Sequence, residues 1–536
     1  MLRQVCDFMV SIEIDKNDLL DLVGKKLPDE EIEEVLFLLK VESKINDNKI
    51  ECELTPDRID MLSVEGIARE IKGFLALETG LKKYDVTDSN FMLKKEKADV
   101  RPAIACAIIL DVKLTDELIK SLMQMQEKLH ATIGRNRKKV AIGVHDFEKI
   151  KPPLTYRDVT DEKFIPLNES KEMTVKEILE NHPKGKDYAH LVKDRYPMIY
   201  DMTGVISFPP IINSERTKLT DKTKDLFIDV TGTDERAVNQ ALNILVCNIA
   251  ERGGKILTVK ISNKKTPDLE PLKLNMDVES VDRILGFGLN ENQIEENLKR
   301  MRYDVKKMKS GKMEANVPPY RTDILHMVDI IEDVAIGYGY NNIKPLLPKI
   351  ATIGKQSDLE NLSKKIRELM IGLEFQETLN FVLTSEESNF KKMNLDGKAV
   401  EILNPTSSEY SLCRTWLLPS LMKVLASNKH RDYPQKVFEI GDCIDLDGKT
   451  VRKLAGVISH YEANLTEIKS IVESILSNLG YAYSIKELVH PSFIESRCGE
   501  IFIDSKSIGF FGELHPKVLE NWKLENPVIA FEIRIE

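Results

Sequence analysis

The stretch that most restricts the fold runs from Pro319 to Ile343. From Met327 onward it reads as a helix, because Val328, Ile331 and Ala335 recur at helical spacing, as do Ile330, Val334 and Tyr338. Gly337-Tyr-Gly-Tyr-Asn-Asn then stops it. Asp329, Glu332 and Asp333 stand at i, i+3 and i+4 and so share one helical face, and Asp323 lies just upstream. Like charges gathered in this way repel unless a cation, a basic partner or bulk water relieves them. Spacing leaves three readings open: a solvated acidic face, a docking patch, or a hard-cation site whose oxygen donors suit Mg2+ or Ca2+.

The 536 residues call for several domains, and 42% apolar with 31% charged residues describes an ordinary globular chain. No run approaches the ~18 apolar residues of a membrane span. The start, Met-Leu-Arg-Gln-Val-Cys-Asp, lacks the apolar region of a secretory signal. Seven scattered cysteines, none in a Cys-x-x-Cys pair, point to reduced thiols and a cytoplasmic protein, and away from a zinc site on paired cysteines. A net charge of −10 argues against a general polyanion binder, although local patches can still contact nucleic acid.

Four segments follow. Residues 1–92 read as an α/β domain with helices over Asp15–Val23 and Asp29–Leu39 and an alternating strand from Lys49 to Leu54. Its 55–70 stretch carries charges best explained by internal ion pairing, with Ser63 as a helix N-cap. Residues 93–265 begin with a continuous apolar strand at Ala103. A basic cluster follows at Gly134-Arg135-Asn136-Arg137-Lys138-Lys139; it is either a solvated strand entry or a phosphate grip. Later, Pro209-Pro210 is set among polar groups, and Asp229 and Thr231 share one face at the end of a strand. Such turns build small-molecule pockets and ordinary loops alike.

Residues 267–345 read as helix, helix, hairpin, helix, which resembles a winged-helix unit without a dense basic recognition face. Residues 350–536 alternate helices and strands, as in an α+β domain with an antiparallel sheet; one strand is expected over Glu377–Thr384. The chain contains no phosphate-binding Gly-rich motif, no His-Glu-x-x-His and no nucleophile elbow. His145 beside Asp146 reads as structural.

Taken in order, these signatures resemble the beta subunit of phenylalanyl-tRNA synthetase in its archaeal and eukaryotic form. The matching stretches are 55–70, Pro209–Glu215, Ile228–Gly232, Tyr320–Asp323 with Tyr338–Ile343, Asn404–Pro419, Phe438–Asp442 and Gly512–Pro516. The resemblance implies a multidomain α+β chain: a B1-like domain, a B3/B4-type editing module, a winged-helix-like B5 module and a non-catalytic class II synthetase-like domain. It implies an (αβ)2 heterotetramer in which the alpha subunit joins phenylalanine to tRNA(Phe) with ATP. Val437 stands where the class II ATP motif has arginine, consistent with a C-terminal domain that does no aminoacylation. Hydrolysis of mischarged tyrosyl-tRNA(Phe) falls to this chain, with Ile206, Ser214, Asp229 and Thr231 as pocket candidates. Asp323, Asp329, Glu332 and Asp333 take the positions associated with Mg2+, and this shifts the acidic helix toward a cation or docking role.

Overall fold

Alternation of polar and apolar residues builds the first layer. In the computed structural model, which describes residues 10–535, β1 (Val10–Asp15), β2 (Val41–Asn46) and β3 (Lys49–Leu54) form an antiparallel sheet in the order β1-β3-β2. Ile50, Cys52 and Leu54 are buried while Lys49, Glu51 and Glu53 face solvent, the period-two pattern of a half-covered sheet. α1 (Lys16–Val23), α2 (Asp29–Leu38) and α3 (Val64–Phe74) supply the apolar residues that cover it. The Ser63 hydroxyl caps α3 by accepting from the Gly66 amide at 3.3 Å. Arg58, Asp60, Arg69 and Glu70 are all about 1% exposed, and Arg58 pairs with Asp60 at 2.9 Å and with Glu70 at 3.0 Å. The 55–70 charges are thus internal ion pairs. The start Met1–Asp7, with Cys6, lies outside the described residues; the other six cysteines are unpaired thiols, five of them buried.

The next stretch adds an eleven-stranded sheet. Its strands include β4 (Met92–Lys95), β5 (Ala103–Leu110), β6 (Val140–Asp146), β7 (Leu154–Val159), β8 (Tyr196–Asp201), β9 (Gly204–Phe208), β10 (Leu226–Gly232) and β11 (Lys255–Ile261), ordered β9-β8-β7-β4-β11-β5-β10-β6. β10 runs antiparallel to both β5 and β6, so it is flanked on each side and all seven of its residues are buried. α4 (Asp116–Ala131) and α5 (Glu235–Ala250) pack their apolar stripes on one face of this region. Asp229 and Thr231 fall on the opposite face by strand alternation.

Residues 267–345 hold α6 (Val278–Leu285), α7 (Glu291–Arg300), the hairpin β12 (Asp304–Lys307) with β13 (Lys312–Val317), and α8 (Met327–Tyr338). The sequence reading missed the strand Leu272–Asp277, which pairs with β13 and makes the hairpin a three-stranded sheet. This segment shares one core with the preceding ones, so Met1–Leu347 is a single unit and Pro348–Glu536 is a second.

The second unit is a seven-stranded sheet with helices on both faces. Its long strands, β14 (Gln435–Ile444), β15 (Thr450–Ser459), β16 (Phe493–Ile503), β17 (Lys506–Leu514) and β18 (Val528–Arg534), pair antiparallel in the order β14-β15-β18-β17-β16. The expected strand over Glu377–Thr384 breaks into Gln376–Glu377 and Leu383–Thr384. Asn380 turns its amide to Glu439 at 2.7 Å instead of continuing the ladder, and Leu379 and Phe381 are left exposed.

Candidate functional site

β6 and β10 lie side by side with Gly143 opposite Asp229. An ideal Cβ on Gly143 would stand 2.3 Å from Asp229 Oδ1 and 2.9 Å from His145 Nε2. Only a residue without a side chain leaves room there for the carboxylate. Asp229 is held by His145 Nε2 at 2.7 Å, and His145 Nδ1 meets the Thr217 hydroxyl at 2.8 Å. With Nε2 donating to Asp229, a neutral ring accepts the Thr217 proton at Nδ1. Thr217 and His145 are both fully buried. The chain of groups therefore fixes the carboxylate and presents no nucleophile.

Asp229 and Gly143 line a cleft of about 690 Å3 together with Gln126 and Glu127 of α4, Arg137, His182–Lys184, and the Ser207–Asn213 turn. The volume is that of a site for a small organic group. Ser207 Oγ and Asn213 Oδ1 are 3.0 Å apart on its wall. Arg137 spans it, donating to the carbonyls of Pro210 at 3.2 Å and Ile211 at 3.1 Å and to Glu127 at 2.8 Å.

Of the four residues singled out in the sequence, Asp229 lines this cleft. The other three sit behind it. Thr231 is fully buried and takes hydrogen bonds from Arg101, at 3.3 Å to its hydroxyl and 2.8 Å to its carbonyl. Ser214 bonds the Ile165 carbonyl at 3.3 Å and caps the short turn Glu215–Thr217. Ile206 is core, packed with Cys106, Tyr156 and Phe227. The sequence pointed to Arg137 only as part of the basic cluster and to Ser207 and Asn213 only as polar groups around Pro209-Pro210; it gave no sign that they meet Gly143 and Asp229 in one cleft. Gly143 and His145 were within reach: two apart on one strand, they had to share a face.

The acidic residues meet at a second, smaller cavity of about 130 Å3 lined by Asp57, Asp323, Asp329, Glu332 and Asp333 with Lys40, Arg58 and Arg321. Arg321 reaches Asp323 at 2.7 Å and Asp333 at 2.8 Å, and Tyr303 donates to Asp333. Lys40 bridges Asp57 at 2.6 Å and Glu332 at 3.0 Å. Asp329 accepts the Leu325 and His326 amides, each at 2.8 Å, and so closes the start of α8. Burial lifts the Asp333 carboxyl above its ordinary value against the pull of Arg321. At Asp323 burial pushes the same way, but the Arg321 guanidinium outweighs it and the carboxyl lies below its ordinary value. Five carboxylates against three cationic side chains leave a formal excess of two negative charges. Among the described residues no three carboxylate, imidazole or thiol groups converge closely enough to chelate a metal directly.

In the second unit the glutamate of Phe438-Glu439 is fully buried, paired with Arg414 at 2.7 Å and with Asn380. Its carboxylate is committed internally.

Three family models match this chain: the B3/4 domain over residues 115–248, the tRNA synthetase B5 domain over 274–340, and the phenylalanyl tRNA synthetase beta chain CLM domain over 343–535. The phenylalanine–tRNA ligase beta subunit of Methanocaldococcus jannaschii is 44% identical, across 98% of this chain and 100% of that protein. The chain belongs to the phenylalanine–tRNA ligase beta subunits. The beta subunit of Pyrococcus furiosus is likewise 44% identical, over 98% of this chain and 99% of its own length. The crystal structure of an N-terminal fragment of the phenylalanyl-tRNA synthetase beta subunit from Pyrococcus horikoshii aligns with a TM-score of 0.59 at 41% identity, covering 62% of this chain and all of that one. In this beta subunit the larger cleft is built mainly from the B3/4 match, and α8 with its carboxylates falls in the B5 match. The second unit corresponds to the CLM match.

Proposed function

We propose that this chain assembles with an alpha subunit as an (αβ)2 phenylalanine–tRNA ligase and hydrolyses tyrosyl-tRNA(Phe) in the cleft beside Asp229. The alpha subunit attaches phenylalanine to tRNA(Phe) with ATP. The observation that carries the hydrolytic reading is the cleft itself, with a buried carboxylate held at its edge by His145 and given room by Gly143. Tyrosine differs from phenylalanine by one hydroxyl, which an apolar synthetic pocket rejects poorly, whereas a site built to hydrogen-bond that hydroxyl discriminates strongly. Asp229 is the acceptor for the phenol proton. Ser214 and Thr231 are positioning residues behind it, and Ile206 backs the wall. Water attacks the ester carbonyl, the bond to the ribose oxygen breaks, and tyrosine leaves with the proton returned to the terminal ribose.

In this reading 267–345 is a winged-helix-like B5 module and 350–536 a class II synthetase-like domain, with Glu439 locked to Arg414 and no part in catalysis. Mg2+ fits the acidic cavity in charge and donor type. The excess of two negative charges matches a divalent cation, and the oxygen donors suit one that keeps part of its water. Asp323, Asp329, Glu332 and Asp333 would hold it through that water at a surface shared with the alpha subunit. The ion supplies charge neutralisation there and takes no part in hydrolysis. The complex works in the cytoplasm; no helix of the described residues is long and apolar enough to cross a membrane.

The test is the purified complex with tyrosyl-tRNA(Phe). Tyrosine is released by the parent complex, and Asp229→Ala slows release at least tenfold while phenylalanylation is unchanged. A parent complex that leaves the ester intact defeats the hydrolytic reading.

A further inference from the structure

The basic cluster at 134–139 remains without a role. Arg135, Asn136 and Arg137 have φ of 48°, 54° and 64°, three successive non-glycine residues in the left-handed region. Each is costly for an L-residue, and such backbone persists only where surrounding structure over-determines it, most often at functional sites. Here the clamp is Arg137. It is 7% exposed, stacks 4.5 Å above the Tyr188 ring, and bonds the Pro210 and Ile211 carbonyls on the cleft wall. Arg101 fastens the same turn from below, donating to the Arg137 carbonyl at 3.0 Å. The consequence is that Arg135, Asn136 and Lys138 are held exposed beside a residue that lines the cleft. Lys139 is spent on Asp234 at 3.0 Å, but no such pairing engages Arg135 or Lys138 among the ion pairs of the described residues. The turn also borders the cleft directly, since Arg137 lines it together with Pro210 and Ile211, whose carbonyls it holds.

We infer that the left-handed turn at 135–137 is a phosphate grip for the single-stranded end of an RNA, with Arg135 and Lys138 on successive phosphates and Arg137 anchoring the turn to the cleft wall. This rests on the hydrolytic reading of the cleft and adds how the substrate is presented to it. Two cations on a fixed turn suit a flexible phosphodiester strand. The absence of aromatic side chains in the cluster fits a grip on the backbone and gives no platform for stacking bases.

The test uses the αβ complex, the double variant Arg135→Ala with Lys138→Ala, and two substrates: tyrosyl-tRNA(Phe), and tyrosyl-adenosine, which has the ester but no phosphate. The variant should raise KM for the tRNA ester roughly tenfold and lower the slope of log KM against log salt by about 1.4, at ~0.7 per single-strand phosphate contact. Its kcat and its hydrolysis of tyrosyl-adenosine should match the parent, and Arg135→Lys should retain most of the tRNA affinity. An unchanged KM and salt slope overturn the grip, and so does an equal loss on both substrates, which would mean damage to the cleft. If the parent hydrolyses neither ester, the hydrolytic reading fails separately. The grip is then decided by binding of an uncharged RNA hairpin with a single-stranded 3′ end: weaker binding by the variant supports it, equal binding overturns it.

Discussion

Replacing Gly143 by alanine is the sharpest probe of the cleft. The added methyl would lie 2.3 Å from Asp229 Oδ1, against the 3.4 Å at which ordinary contact begins, so the carboxylate must move by about 1 Å. Backbone surrounds the strand on both sides, since β10 is hydrogen-bonded to β5 as well as β6. The side chain must therefore rotate, and the 2.7 Å bond to His145 breaks. A hydrogen bond to a charged group contributes ~1.5–3 kcal/mol, and the stranded ring nitrogen adds ~1–3 kcal/mol of unmet burial. The expected local destabilisation is about 3 kcal/mol, on the order of a hundredfold in opening equilibrium. Because a chain of several domains does not unfold in one step, the readout should be local. Hydrogen exchange measured on peptides covering 140–146 and 226–232 should speed up by about two orders of magnitude, while peptides from 435–534 are unaffected. Combining the change with Asp229→Ala removes the nearer clash and leaves only the 2.9 Å approach to His145 Nε2, so the added cost of Gly143→Ala should be smaller in that background than in the parent. Full additivity of the two changes, or unaltered exchange in Gly143→Ala, would refute the account of the carboxylate's seat.

The acidic cavity makes further predictions. Arg321→Met strands two carboxylates that the guanidinium holds at 2.7 and 2.8 Å, and should cost about 3–5 kcal/mol locally; adding Asp333→Asn should recover part of it, as read by hydrogen exchange on peptides covering 319–338. The two aspartates respond oppositely to acid. Asp323 lies below its ordinary value, so its contribution is present above pH ~3.9 and is lost as pH falls through its lower folded value. Asp333 lies above its ordinary value, so its contribution is greatest at low pH and is lost as pH rises through its folded value. Asp333→Asn should accordingly destabilise less than Asp323→Asn at neutral pH. Asp329→Ala with Glu332→Ala should weaken alpha–beta assembly or abolish its dependence on Mg2+, measured by sizing with and without chelator; assembly untouched by both would return α8 to an ordinary charged face.

Much of this was legible in the residues. The helix at 327–338 followed from its periodicity, and the hairpin from paired strands around Ser310-Gly311. Pairing of the 55–70 charges followed from their mixed signs. What local pattern could not show was partnership at long range. Arg321 pairs with Asp323 from two residues away, but Lys40 reaches Glu332 across 292 positions, so part of the acidic charge is offset by a cation that no local reading contains. The cleft was half visible for the same reason. Asp229 could be picked out from its strand, but Arg137 and the 207–213 turn come from separate segments brought together by tertiary structure. The strand misread over 377–384 is a case of side-chain competition: Asn380 prefers a buried glutamate to the ladder.

The central claim is that this chain works as the beta subunit of a two-subunit ligase. Co-expression with the alpha subunit, followed by sizing and phenylalanylation of tRNA(Phe), tests it most directly. A stable complex of two alpha and two beta chains that charges the tRNA is expected, with no activation of phenylalanine by this chain alone. A chain that elutes alone beside a functional alpha subunit would contradict it.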